Sequence, residues 1–184
     1  MSHGEHTNLR AVERTDATLL HRWFTLLDGP RGWAISDSIV SLAEVQRRIE
    51  GWIDEERTLG RPACLVFEDL EGEPLGLIIL SHYESNHRAL EVALVSGNSE
   101  RRNDAFEIDA LETAIETCFD QWNLHRLTAR TPLANELAAS VYVQCGFRRD
   151  IVLREAAYFH GAFHDVALFC LLTTDRAPAD ELTT

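Results

Sequence analysis

The stretch that decides the fold is LEVALVSGNSERRNDAFEIDALETAIETCFDQWN, residues 90–123. Its first six residues are mostly apolar and contain neither Pro nor Gly, which favours a buried strand. The next eight residues have the composition of a turn, and apolar residues then recur at spacings of three and four, which indicates a helix with one buried face. A strand, a polar loop and a helix N-terminus in this order often form an anion site, because the first N–H groups of a helix have no partner within it.

The composition limits the classes of function. A chain of 184 residues can form one domain with a full core. We find no repeat or linker, so we predict a single domain over residues 1–184 with frayed tails at 1–7 and 175–184. No window is apolar enough to span a bilayer and the first residues lack a signal-peptide pattern, so we predict a cytoplasmic protein without a membrane partner.

The net charge and the spacing of the cysteines limit which binding partners and metal sites the chain can have. A net charge of −13 argues against nucleic-acid binding and is more compatible with an amine-bearing partner. A homodimer is left open. The four cysteines lie in apolar runs without the spacing of metal ligands, which predicts buried, reduced thiols and no metal.

The rest of the chain supplies further strands and helices on both sides of this stretch. We predict strands near residues 8–12, 63–67, 75–80, 90–95, 124–130, 147–157 and 163–172, and helices that begin near 15–16, 41, 104 and 135. Thr15 or Asp16 should cap the first helix, and Ser41 should cap the second in an S-x-x-E capping box with Glu44. The strand at 75–80 is apolar on both faces, so it should be central and covered on both sides. The order β-α-α-β-β-β-α-β-α-β-β predicts an α+β fold, with a mostly antiparallel sheet of about seven strands flanked by about four helices.

Two strings in the second half resemble a known family. WNLHRL at 122–127 and NELAASVYVQCGF at 135–147 are similar to the GNAT superfamily of acyl-CoA N-acyltransferases, and within it to the ribosomal-protein alanine acetyltransferase type. The resemblance covers nearly the whole chain. It implies an N-acetyltransferase that uses acetyl-CoA and acts on a primary amine of a small molecule, or on the N-terminus of a peptide or protein.

The resemblance also implies roles for particular residues. The pantetheine arm of the donor would lie in a V between the strands that begin at Leu90 and Leu124. Backbone groups from Val92 through Ala93 to Leu94 would hold that arm. Asn135 would contact the donor.

Tyr142 would protonate the departing thiolate. A phenol has an ordinary pKa near 10, so it is protonated and able to donate at neutral pH. Tyr142 could instead be an ordinary half-buried aromatic residue on a short helix.

The amine must lose a proton before it attacks a thioester, so a base is required. Glu91 is the first candidate, since it should point away from the side of the strand that carries Val92. His82 and Glu84, near the end of the neighbouring strand, are the next candidates. Each of the three could also be a solvated strand residue.

The segment that should bind the donor's pyrophosphate departs from the family pattern, which is Gln/Arg-x-x-Gly-x-Gly/Ala. Here Ala105 and Glu107 replace the two small residues. Asp104 and Glu107 have the spacing of a capping box, so we expect them to occupy N–H groups that a phosphate would use. The predicted donor-binding segment comprises Arg101, Arg102, Asn103, Asp104, Ala105 and Phe106.

This departure leaves three functions open. The first is an acetyl-CoA-dependent N-acetyltransferase with a weakened hold on pyrophosphate. The second is an acyltransferase whose donor is a carrier protein's acyl-phosphopantetheine, which has no ADP pyrophosphate. The third is an inactive binding protein with the same fold.

Overall fold

A single eight-stranded sheet forms the centre of the protein in the computed structural model, which describes residues 2–26, 41–97 and 104–176. The elements in chain order are β1 Ser2–His3, β2 Thr7–Ala11, α1 Ala17–Leu26, α2 Leu42–Leu59, β3 Cys64–Asp69, β4 Pro74–Glu84, β5 Ala89–Ser96, α3 Asp104–Glu116, β6 Arg126–Pro132, α4 Glu136–Gln144, β7 Arg148–Phe159 and β8 Ala162–Leu172. The strand order is β1-β2-β3-β4-β5-β6-β8-β7. The predicted α+β class is confirmed, with seven longer strands, a two-residue β1 and four α-helices in the described part.

Helices cover both faces of the sheet. On one face, α3 and α4 pack on a core that includes Leu90, Val92 and Leu111. On the other, α1 and α2 pack on a core that includes Leu20 and Val45. β4 contributes buried side chains to both cores, so its predicted central position is confirmed.

The start of α2 agrees with the prediction from the sequence, whereas the start of α1 differs from it. Ser41 caps α2 by accepting a hydrogen bond from the Glu44 N–H at 3.2 Å, as predicted from the S-x-x-E pattern. We expected Thr15 or Asp16 to cap α1. Asp16 instead lies in a 3-10 turn, where it accepts the Glu13 N–H at 2.8 Å and two hydrogen bonds from Arg10.

The crossover from β5 through α3 to β6 produces the V. β5 and β6 run parallel, and only the three residues of β5 from Ala89 to Glu91 pair with Arg126 to Thr128. β5 continues to Ser96 and β6 to Pro132, so the two strands separate beyond that point. The predicted gap between these strands is therefore present.

The N-terminal residues of the described part have specific contacts. β1 pairs with β2, and the carboxylate of Asp109 on α3 accepts hydrogen bonds from the backbone N–H groups of Glu5 and His6. The predicted frayed start is thus tied down from residue 2, and residues 177–184 lie outside the described part. No helix in that part is long and apolar enough to cross a membrane.

Candidate active site

Tyr142 lies at the gap between β5 and β6. Its Oη accepts a hydrogen bond from the Leu94 N–H at 3.1 Å. The ring is buried and packs against Phe147 and Phe169 at centroid distances of 5.5 and 5.7 Å. α4 carries this residue, and Asn135 caps α4 by accepting the Ala138 N–H at 3.4 Å. The sequence-predicted pair of Tyr142 and the backbone of residues 92–94 is therefore together in space.

The environment of Tyr142 keeps the phenol protonated. Burial raises the pKa of Tyr142 to about 12, because an apolar environment disfavours the charged phenolate. The Leu94 N–H opposes this rise, and the negative charge of Glu91 adds to it. At neutral pH the side chain can therefore donate a proton.

Glu91 lies on the other face of the sheet. Val92 is buried beneath α3 and α4, so its neighbour Glu91 points toward the face that α1 and α2 partly cover. Oε1 of Glu91 accepts a hydrogen bond from Arg130 Nε at 2.9 Å, and Oε2 lies 3.7 Å from His82 Nδ1. The Glu91 side chain is 17% exposed and lines an open groove of about 530 Å³.

The two candidate groups, Tyr142 and Glu91, lie on opposite faces of the gap. A molecule held between β5 and β6 would meet the phenol on the α4 side and the carboxylate on the groove side. Glu84 also lines the groove, but it is the exposed last residue of β4, with its Oε2 3.9 Å from His87 Nε2. Of the three predicted bases, Glu91 therefore lies closest to the point where the strands separate.

The pyrophosphate segment is described only from Asp104 onward. Arg101, Arg102 and Asn103 lie outside the described residues, as does the side chain of Asp104. Ala105 is exposed and borders a groove beside residues 4–6, whereas Phe106 packs against the core. Donor binding by this segment stays a prediction, as does the contact of Asn135 with the donor.

Glu107 has a contact that the sequence did not predict. Its side chain is buried and accepts a hydrogen bond from the Ser96 hydroxyl at the end of β5. The capping-box spacing suggested a role at the helix's own N–H groups, but this contact links α3 to β5. The carboxylate of Glu107 is nevertheless buried in the first turn of α3, the helix whose start belongs to the predicted phosphate-binding segment.

Arg130 is the second residue that sequence reasoning missed. It is on β6, two residues beyond the last one that pairs with β5, so its side chain reaches Glu91 across the opening. The strand RLTAR does place Arg126, Thr128 and Arg130 on one face. The partner of Arg130 becomes evident only from the register of two strands that are distant in sequence.

Comparisons with a protein-family model and with a related sequence both indicate an acetyltransferase. The family model described as "Acetyltransferase (GNAT) domain" matches residues 6–148. A spermidine N(1)-acetyltransferase of Vibrio cholerae serotype O1 is 25% identical over 164 residues, which are 89% of this chain and 91% of the relative.

Solved structures share the fold over nearly the whole chain. The crystal structure of spermidine N-acetyltransferase from Vibrio cholerae in complex with CoA and spermine has a TM-score of 0.79 and 23% identity, and covers 92% of this chain and 96% of its own. An acetyltransferase of the GNAT family from Bacillus anthracis has a TM-score of 0.76 and 16% identity, and covers 93% and 97% respectively.

Proposed function

The chain belongs to the GNAT acetyltransferase family, and from this premise we propose that it transfers an acetyl group from acetyl-CoA to a primary amine. The observation that carries the proposal is the hydrogen bond between Leu94 N–H and Tyr142 Oη at the opening between β5 and β6. The same strand edge offers backbone N–H groups to a donor, and the same phenol offers a proton to a leaving group. A predicted cytoplasmic location and a homodimer stay predictions.

The proposed reaction assigns one proton transfer to each side of the gap. The acceptor enters as an ammonium ion and loses one proton toward Glu91. The neutral nitrogen attacks the thioester carbonyl, the C–S bond breaks, and Tyr142 protonates the sulfur. The nitrogen's second proton restores the phenol, so the net products are the amide, the free thiol and one proton. Burial favours this sequence, because an apolar environment disfavours a free thiolate as it disfavours a phenolate.

The acceptor is proposed by class. The relative is named as a spermidine acetyltransferase, and this chain's net charge of −13 would attract a polyamine. The groove beside Glu91 also contains Arg126 and Arg130, so it presents both signs of charge. A peptide N-terminus with a nearby carboxylate would suit that mixture, as the resemblance to the ribosomal-protein type implies.

One observation favours a second donor. The buried carboxylate of Glu107 lies in the first turn of α3, where it would repel a pyrophosphate. Acyl-phosphopantetheine on a carrier protein has the same pantetheine arm without the ADP moiety. This donor would use the gap between β5 and β6 and make no demand on residues 101–107.

The test combines binding and turnover. Titration calorimetry with acetyl-CoA should show binding by the parent, and the parent should acetylate spermidine or an alanine-ended peptide. Tyr142→Phe should abolish most of that turnover, while the matched control Tyr158→Phe, an exposed residue on β7, should not. The proposal would be refuted if the parent did not bind acetyl-CoA and acetylated neither acceptor. Turnover with acetyl-phosphopantetheine but not with acetyl-CoA would favour the second donor.

A further inference from the structure

A β-bulge lies in β4 directly beside Glu91. Ser81 pairs with Glu91, but the next pair joins Glu84 to Ala89, so β4 has one more residue than β5 between these pairs. His82 occupies the bulge with a φ of +53°, a left-handed conformation that non-glycine residues adopt rarely. Bulges of this kind change the direction of a side chain, and they occur often next to active sites.

The bulge changes which face His82 occupies. In a regular strand His82 would point to the same face as Leu80, which belongs to the core beneath α3 and α4. In the structure Tyr83 packs against that core instead, and His82 turns toward the face of Ser81 and Glu91. Its Nδ1 lies 3.0 Å from Ser81 Oγ and 3.7 Å from Glu91 Oε2.

The two oxygens of Glu91 therefore have different neighbours. Arg130 holds Oε1 at 2.9 Å and fixes the direction of the carboxylate. Oε2 faces the imidazole of His82, whose side chain is 68% exposed. Oε2 and the imidazole thus form a path from the buried strand edge to bulk water.

We propose that His82 is a positioning residue that accepts the acceptor's proton from Glu91 and releases it to solvent. The inference rests on the proposed function. In chemical terms Glu91 Oε2 takes the first proton from the ammonium ion and passes it through one water molecule to Nδ1 of the neutral imidazole, because the two atoms are 3.7 Å apart. The imidazolium then loses a proton to bulk water. Each group is thereby restored for the next turnover, and no other reactant is needed.

Other charged groups share the groove with His82, and they bear on its pH dependence. A carboxylate near an imidazole favours the protonated ring, and a guanidinium disfavours it. The groups that face this site are Glu91 from β5, Arg126 and Arg130 from β6, Glu84 and His87 from the end of β4 and its turn, and Asp150 from β7, which pairs with Arg126 at 3.1 Å.

The test uses His82→Asn with His87→Asn as the matched control. Asn tolerates the left-handed conformation, so the variant should fold. His87 lines the same groove, is 76% exposed and also lies near a glutamate, but it is not at the separation of the strands. The kinetic assay uses acetyl-CoA with the better of spermidine and an alanine-ended peptide, from pH 5.5 to 9.

We expect His82→Asn to lower kcat by about tenfold, less than the 10²–10⁴-fold typical of a direct acid or base, with KM little changed. The parent's kcat should depend on pH, because a relay through an imidazole requires the neutral ring, and this dependence should be lost in His82→Asn and kept in His87→Asn. Equal rates and pH profiles in the two variants, or a change in KM alone, would overturn the inference.

Absence of any acetyl transfer by the parent would refute the proposed function, whereas acetyl transfer with the same pH profile in both histidine variants would overturn this inference alone.

Discussion

Tyr142→Phe is the most informative single substitution, because it removes one oxygen atom and leaves the ring in place. The ring packs against Phe147 and Phe169 through its faces and edges, and these contacts are available to Phe as well. The hydroxyl has two roles in our account, as the acceptor of the Leu94 N–H and as the proton donor to the leaving sulfur. The substitution should therefore affect both stability and turnover.

The expected magnitudes follow from the structure. Loss of a positioned acid should lower kcat by about 10²–10⁴-fold with little change in the affinity for acetyl-CoA. Loss of the hydrogen bond leaves the half-buried Leu94 N–H without the phenol oxygen, which should cost about 1 kcal/mol in the free energy of unfolding at pH 7.

The pH dependence of stability separates this residue from others. Burial raises the pKa of Tyr142 to about 12 from an ordinary value of 10, so the folded state favours the neutral phenol. Such a group contributes stability that is fully present below pH 10 and is lost as the pH rises toward 12. Two pKa units correspond to about 2.7 kcal/mol, of which about half should be lost by pH 11. Tyr142→Phe has no such ionisation, so the parent's free energy of unfolding should fall by about 1.4 kcal/mol relative to the variant's between pH 8 and 11, which is enough to reverse its advantage of about 1 kcal/mol.

The assays are steady-state acetylation and urea unfolding at pH 8 and 11, with Tyr158→Phe as the control. Tyr158 is 55% exposed, so its loss should leave both measurements near the parent's values. The reasoning would be refuted if Tyr142→Phe kept turnover within a few-fold of the parent. A parent-to-variant difference in unfolding free energy that did not change with pH would show that the phenol is not buried as described.

Three further predictions concern stability, donor binding and the thiols. Burial alone would raise the pKa of Asp16, but hydrogen bonds led by those from Arg10 lower it below its ordinary value. The Asp16 carboxylate therefore stabilises the fold above about pH 4, and this stabilisation is lost as the pH falls. Asp16→Asn should therefore cost about 3 kcal/mol at pH 7 in chemical unfolding and less at pH 3. Glu107→Gln removes a charge near the N-terminus of α3 and should tighten acetyl-CoA binding about two- to fivefold. Calorimetry tests this with Glu112→Gln as the control, and an unchanged affinity in Glu107→Gln would contradict it. All four cysteines should react slowly with a thiol reagent in the folded protein, since burial raises the pKa of even the half-buried Cys145 to about 12, and one fast thiol with loss of activity would disprove this.

Local patterns predicted most of the fold. The three-and-four spacing in α3 and the apolar run in β4 indicate which faces are buried, and both were found as expected. The Ser41 cap was also readable, because it depends on residues three apart. The π-helical turn at Thr117–Gln121, which extends α3, was not predicted, since it keeps the helical spacing of apolar residues nearly unchanged.

The site was predicted only where the chemistry is local. The family-like segment at residues 135–147 predicted that Tyr142 lies on a helix, and strand alternation predicted that Glu91 and Val92 face opposite sides of the sheet. The contacts of Glu91 with Arg130 and of Glu107 with Ser96 depend on registers between distant strands and helices. The direction of His82 depends on a left-handed backbone conformation, which remains uncommon even for His, so the sequence alone did not indicate it.

The short pairing between β5 and β6 has a consequence for how the molecule holds together. In the described part of the sheet, the parallel ladder that joins the block before residue 97 to the block after residue 126 has three residue pairs, and beyond them the Leu94–Tyr142 and Glu91–Arg130 hydrogen bonds cross the opening. A donor seated in the gap would complete this ladder, so it would act as a missing strand as well as a substrate. We therefore expect acetyl-CoA to slow amide hydrogen exchange in both blocks together, including at strands that it does not touch.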